Sequence, residues 1–180
     1  MGKMTEFGEI LFTEQEIASR VNELAEQINT DYAGQEVILV CILKGAFAFT
    51  ADLARKLKIN CRIEFMQVSS YADKTESSGS IKIIKDINVP VDGKYLLIIE
   101  DIIDTGITMN NLKKMLGLRN AASIKLCALL DKPSRREADI DADYIGFVVE
   151  DHFLVGYGLD YAQNYRNLPY IAILKKELYE

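Results

Sequence analysis

Tyr95 to Asn111, YLLIIEDIIDTGITMNN, is the stretch that decides how this 180-residue chain is read. An apolar, β-branched run of strand character ends in two adjacent carboxylates, Glu100 and Asp101. Two aliphatics then separate them from a third carboxylate, Asp104, before Thr105, Gly106, Ile107 and Thr108 open a helix-compatible segment. A helix start offers unpaired backbone N–H groups and the positive end of the helix dipole, which together form a phosphate site. Thr105 and Thr108 add hydroxyl donors to that site. Glu100 and Asp101 are acceptors suited to the vicinal hydroxyls of a ribose carried on the phosphate, and Asp104 lies within reach of the sugar's reacting centre. Taken singly, each has a plain structural reading: Asp104 or Thr105 as a helix cap, the acid pair as a solvated strand end, Gly106 as a tight turn. Their order at a strand end favours a site. Rival nucleotide motifs are missing, with no G-x-G-x-x-G after a strand and no G-x-x-x-x-G-K-[ST]. Cys41 and His152 make no recognisable nucleophile pair.

Outward from this segment the chain alternates helices and strands. Residues 14 to 29 place Ile17, Val21, Leu24 and Ile28 at helical spacing behind Thr13, a candidate N-cap. Val37 to Leu43 reads as a buried strand ending in a turn at Lys44 and Gly45, with a helix expected from about Phe47 to Leu57. Strands are expected at Arg62–Val68, Ser80–Ile87, Tyr95–Ile99, Ile124–Leu130, Tyr144–Val149 and Ile171–Leu174, and a helix at Met109–Leu118. The polar stretch Ser69 to Ser80, SSYADKTESSGS, reads as a mobile loop. This pattern predicts an α/β domain around a mainly parallel sheet, whose ligands collect at the carboxyl ends of strands. The loops after Leu43, Ile99 and Leu130 are therefore the places to search. Length favours a single domain over residues 1–180.

Composition narrows the function. Hydrophobic residues make up 49% and charged residues 27%, the balance of a soluble globular protein. Lys and Arg total 21 against 27 Asp and Glu, for a net charge of -6, which disfavours nucleic acid as a partner. Local basic clusters at Lys82 and Lys85, at Lys132, Arg135 and Arg136, and at Lys175 and Lys176 leave room for a small anionic ligand. No run approaches the ~20 apolar residues of a membrane span, and the opening MGKMTEFGEI lacks the features of a secretory signal. Cys41, Cys61 and Cys127 sit in apolar runs and read as buried free thiols of a reducing compartment, hence a cytoplasmic protein.

The segment LLIIEDIIDTGITM resembles the phosphoribosyl pyrophosphate signature of the type I phosphoribosyltransferases, and its EDIIDTG form is most similar to the hypoxanthine-guanine branch. Further stretches are similar to family landmarks in the family's order: LKGA at Leu43–Ala46, SSY at Ser69–Tyr71, LLDKPSRR at Leu129–Arg136, and DHFLVGYGLDYAQNYRNLPY at Asp151–Tyr170. The resemblance implies the type I phosphoribosyltransferase fold, with a small hood and a flexible active-site loop at about residues 69–82. It also implies that Thr105, Gly106, Ile107 and Thr108 hold the 5'-phosphate, that Glu100 and Asp101 bind the ribose hydroxyls directly or through Mg²⁺, and that Asp104 is the general base. Lys44, Gly45 and Arg166 correspond to pyrophosphate-binding positions, with a non-proline cis peptide often found at Leu43–Lys44. Asp160 corresponds to a ligand of a second Mg²⁺, reached through water. Lys132 matches a donor to the purine 6-oxo group, Phe153 the ring that stacks on the base, and Leu154 a backbone contact at the base edge. Ser70 and Tyr71 match a dipeptide that closes over the site.

The resemblance thus implies purine salvage, with phosphoribosyl transfer from phosphoribosyl pyrophosphate to hypoxanthine, and to guanine, in a homodimer or homotetramer. Ile107 stands where some relatives carry Lys, so the phosphate loop relies on backbone amides. Leu154 stands where others have Val, and base preference is left open. Two alternatives stand beside this reading: a transferase for xanthine or adenine, and a non-catalytic regulator sensing phosphoribosyl pyrophosphate.

Overall fold

The computed structural model describes residues 7–70 and 81–179, apart from the Ser70 side chain. Tyr71, and with it most of the expected closing loop, lies outside the described residues. The chain begins with β1 (Phe7–Phe12) and α1 (Glu14–Asp31). Thr13 caps α1 as expected, and reciprocally: its backbone N–H donates to Glu16 Oε2 at 2.8 Å while its hydroxyl accepts from the Glu16 N–H at 3.3 Å. The core sheet then forms from β2 (Glu36–Leu43), β3 (Asn60–Ser70), β4 (Ile81–Lys85), β5 (Tyr95–Ile103), β6 (Ser123–Asp131) and β7 (Tyr144–Val148). Helix α2 (Phe47–Ala54) follows β2 and α3 (Ile107–Gly117) follows β5.

Strand order is β4-β3-β2-β5-β6-β7, parallel throughout except for the antiparallel edge pair β3–β4. The central strands are apolar on both faces because both faces are covered. On one face Val37, Leu39, Cys41, Leu97 and Ile99 pack against Ile17, Val21 and Leu24 of α1 and Phe49 and Leu53 of α2. On the other, Ile38, Val40, Leu96 and Ile98 pack against Met109, Leu112 and Leu116 of α3. A second sheet of order β1-β9-β8, from β8 (Leu154–Val155) and β9 (Ile171–Leu174), forms the hood. Its small core gathers Phe7, Val155, Ala172 and Leu174, with Tyr165 and Tyr170 set edge-on to the Phe7 ring.

Several boundaries differ from expectation. β5 does not stop at Ile99 but runs on through the acid pair to Ile103, because β6 continues to pair with it as far as Ile103↔Asp131. β3 extends to Ser70, whose partner is Ile81, so Ser69 and Ser70 are strand and not loop. α2 ends at Ala54, short of Leu57, where the N–H groups of Lys56 and Leu57 turn to carbonyls three residues back. Cys61 is partly exposed, unlike the buried Cys41 and Cys127, because its strand lies next to the sheet edge. Among the described residues no helix is long and apolar enough to cross a membrane.

Candidate active site

The carboxyl ends of β2 and β5 face the hood across a cavity of about 400 Å³ lined by Lys44, Gly45, Glu100, Asp101, Thr108, Asp160 and Arg166. Seven positions singled out in the sequence, widely separated along the chain, are brought together there. The Leu43–Lys44 peptide is cis. Gly45 is buried against the acid pair, and a Cβ at that position would collide with the Asp101 carboxylate. Gly158, at φ 103°, lies against the Gly45 carbonyl so closely that a Cβ there would collide with it. Backbone contact thus joins the Gly158 loop to the β2–α2 turn, and the Tyr157 hydroxyl adds to it by donating to Asp52 of α2 at 2.7 Å.

The electrostatics of this cavity are those of a site built for charged ligands. Burial pushes the Glu100 carboxyl well above the usual carboxylate range, and the neighbouring Asp101 charge adds to it. Burial likewise raises Asp101 to about 6, against hydrogen bonds from backbone N–H groups, including Ile102 at 2.8 Å, and the more distant Arg166 cation. Among the described residues Glu100 Oε2 is a buried acceptor with no donor and Arg166 Nε a buried donor with no acceptor. Arg166 is otherwise committed: Nη1 donates to the Gly158 carbonyl at 2.7 Å and Nη2 pairs with Asp160 Oδ1 at 2.7 Å. Lys44 Nζ, on an exposed side chain, reaches Gln163 Oε1 at 3.2 Å. No three His, Cys, Asp or Glu side chains among the described residues gather closely enough to hold a metal by themselves. Hard oxygen donors that include one orphaned carboxylate oxygen nonetheless fit Mg²⁺, which is commonly held by one or two carboxylates with substrate oxygens and water completing its shell.

The phosphate end expected from the sequence is the start of α3. Its cap is Gly106, at φ 78°, and no side chain caps it, so neither Asp104 nor Thr105 is the N-cap that the plain structural reading offered. The first-turn amides have no partner within the helix, and the Ile107 N–H makes a long 3.4 Å contact with the Thr105 hydroxyl. Only glycine fits position 106, where a Cβ would lie 2.7 Å from Ile140 Cγ2 and 3.0 Å from Arg136 Cδ in addition to the left-handed φ.

Asp104, Lys132, Phe153 and Leu154 do not line that cavity; Asp104 and Lys132 directly follow β5 and β6, and Phe153 and Leu154 stand at the start of the hood strand β8. Lys132 is only 7% exposed and donates to the His152 carbonyl at 2.6 Å, so it is not a surface charge. The Phe153 ring is stacked on Tyr179 with centroids 4.8 Å apart and meets Tyr161 edge-on. The Leu154 side chain is buried in the core, and its backbone belongs to β8. Asp104 is gripped at two points: Arg135 Nε donates to its Oδ1 at 2.7 Å, and Arg136 Nη1 to its backbone carbonyl at 2.7 Å. Sequence reasoning counted Arg135 and Arg136 as basic residues and carried Gln163 within a family landmark without giving any of them a role, and left Tyr179 out altogether. The tandem arginines after a proline were the one legible signal, and their target was not, since it lies some thirty residues away in the chain.

Comparison with known proteins follows this geometry. Residues 8–162 match the family described as the phosphoribosyl transferase domain. The chain is 50% identical over 171 residues to the hypoxanthine-guanine phosphoribosyltransferase of Bacillus subtilis, covering 95% of each. It is 49% identical over 170 residues to the bifunctional protein TilS/HprT of Listeria monocytogenes, covering 94% of this chain but spanning only 26% of that longer protein. The crystal structure of a hypoxanthine phosphoribosyltransferase from Staphylococcus aureus superposes with a TM-score of 0.95 at 45% identity, over 98% of this chain and 96% of that one.

Proposed function

The chain belongs to the phosphoribosyltransferase family, and from that premise we propose that it is a purine-salvage transferase moving the 5-phosphoribosyl group from phosphoribosyl pyrophosphate to hypoxanthine and guanine. The observation that carries this reading is the pair of orphaned buried groups, Glu100 Oε2 and Arg166 Nε, on one cavity between the β2–α2 turn and the hood. An acceptor and a donor buried without partners mark a place where a ligand carrying both hydroxyls and anionic oxygens belongs.

The first-turn amides of Ile107 and Thr108 hold the 5'-phosphate, with Thr105 and Thr108 adding hydroxyls and Gly106 permitting the approach. Glu100 and Asp101 take the ribose hydroxyls, and Lys44, Gly45 and Arg166 receive the pyrophosphate. Glu100, Asp101 and Asp160 are the residues that would hold Mg²⁺, which when bound neutralises charge on the leaving diphosphate. In the transfer, a purine ring nitrogen forms the bond to the anomeric carbon as the bond from that carbon to the pyrophosphate oxygen breaks. Asp104 takes the proton carried by the purine, leaving the product nucleotide neutral at its base. Phe153 stacks on that base, the Leu154 backbone meets its edge, and Lys132 donates to its 6-oxo group. A 6-amino group would present a second donor to the lysine, so oxopurines are preferred over adenine. The enzyme acts in the cytoplasm as a homodimer or homotetramer, and the three free cysteines support the first part of that statement.

The test is nucleotide formation from phosphoribosyl pyrophosphate and Mg²⁺ with hypoxanthine, guanine, xanthine and adenine in parallel, with Asp104→Asn as control. Rapid turnover of hypoxanthine or guanine, lost in the control, is the expected result. Preference for xanthine or adenine would reassign the base. Tight binding of phosphoribosyl pyrophosphate with no turnover of any base would replace the enzyme with a sensor.

A further inference from the structure

We infer that Arg135 is a positioning residue for the transfer step, holding the Asp104 carboxylate in register with Lys132 across the purine edge. This rests on the assignment of Asp104 as the base. Pro133 to Arg135 form a single 3-10 turn directly after Lys132, and that turn delivers two consecutive arginines to one residue. Arg136 fixes the Asp104 backbone through its carbonyl and is itself anchored to the buried Asp131 carboxylate. Arg135 fixes the side chain: Nε donates to Asp104 Oδ1 at 2.7 Å while Nη1 reaches Asp151 Oδ2 at 3.2 Å. Lys132 Nζ pairs with the other oxygen of Asp151 at 3.5 Å. A continuous alternation of acid and base, Asp104–Arg135–Asp151–Lys132, therefore links the proton acceptor to the oxo-group donor.

The exposure of this chain argues against a stabilising purpose. Arg135, Asp104 and Asp151 have side chains 46%, 43% and 52% exposed, and ion pairs that open to water add little to stability. Its effect is geometric. The guanidinium is a rigid planar fork, so one cation anchored on two acids fixes the orientation of both. It engages Asp104 through one oxygen, and the second oxygen is the one to accept the purine proton. A proton acceptor in a fixed orientation is worth more than a freely rotating one, because the reacting atoms must meet at hydrogen-bond distance. Lysine at position 135 keeps the charge without the fork, and alanine removes both.

The experiment compares Arg135→Ala, Arg135→Lys and Asp104→Asn with the unaltered protein, measuring single-turnover nucleotide formation, both KM values and the thermal midpoint. Single-turnover rates keep product release from masking the chemical step. The expected result for Arg135→Ala is a loss of about tenfold in the single-turnover rate, a fraction of what a general base supplies. KM for phosphoribosyl pyrophosphate should stay within about twofold and Arg135→Lys should recover part of the rate. A wild-type rate in Arg135→Ala, alongside an inactive Asp104→Asn, overturns the positioning role and leaves the base assignment standing. A fall in rate accompanied by a lower thermal midpoint and a raised KM for both substrates, with no recovery by lysine, also overturns it, since that is the signature of a merely structural contact. An active Asp104→Asn removes the base assignment, and the inference with it.

Discussion

Replacing Asp101 with asparagine should make the ligand-free protein more stable while destroying its activity. The carboxyl is raised from 3.8 to about 6, chiefly by burial beside Glu100 at the end of β5. A displacement of about two pH units corresponds to roughly 3 kcal/mol between charged and neutral forms at about 1.4 kcal/mol per unit. The side chain also opens on the cavity, where water screens it, so about 1–2 kcal/mol is the reasonable gain on removing the charge. For a chain of this length that is a rise of roughly 3–6 °C in the thermal midpoint. The sign with pH follows from linkage. Because the folded-state value lies above the unfolded one, the charge costs its full amount above about pH 6 and nothing below about pH 4, and by pH 5 about half the advantage of asparagine should be gone. The assay is thermal melting of both proteins in chelator, without phosphoribosyl pyrophosphate, between pH 5 and 8. An asparagine variant no more stable than the parent at pH 7.5, or one whose advantage grows on acidification, would refute the reasoning.

Two further outcomes follow from the same geometry. Lys132→Gln removes a cation whose side chain is only 9% exposed, leaving the His152 carbonyl and Asp151 to a weaker donor. kcat/KM for hypoxanthine should fall at least tenfold, by about 1.4 kcal/mol or more, and the margin over adenine should narrow when the bases are compared in competition. Gly106→Ala meets both a left-handed φ of 78° and the Ile140 and Arg136 side chains. It should cost about 1–3 kcal/mol in denaturant unfolding and raise KM for phosphoribosyl pyrophosphate more than KM for the purine.

Legibility in the sequence tracked how local the determinants were. β2, β5 and β6 were readable because continuous burial on both faces needs unbroken runs such as Val37–Leu43, and α1 because Thr13 precedes Ile17, Val21, Leu24 and Ile28 at helical spacing. β1 and β8 were not read as strands. Phe7–Phe12 slips register twice against β9, and β8 is two residues long, so neither shows a period. The extension of β5 through Glu100 and Asp101 depends on β6 continuing alongside, which no property of the two acids reveals. The residues proposed for the sugar donor were nameable from one segment together with family landmarks, and seven of them line one cavity. The grip of Arg135 and Arg136 on Asp104 was out of reach because it depends on where β6 delivers the turn that follows it.

The backbone contact of Gly158 with Gly45 carries a consequence for how such a protein can diversify. Everything proposed for the sugar donor except Asp160 and Arg166 is rooted in β2, β5 and α3, whereas Phe153 and Leu154, proposed to meet the acceptor, stand at the edge of the hood. At that point the two parts meet main chain to main chain, beside the Tyr157–Asp52 and Lys44–Gln163 hydrogen bonds that also cross the joint. On the proposed assignment, substitutions around Phe153 should retune which nucleobase is accepted while leaving the Gly45–Gly158 contact in place. On that assignment the residues proposed for the sugar donor and those proposed for the base are rooted in different elements, which would let one scaffold serve different acceptors.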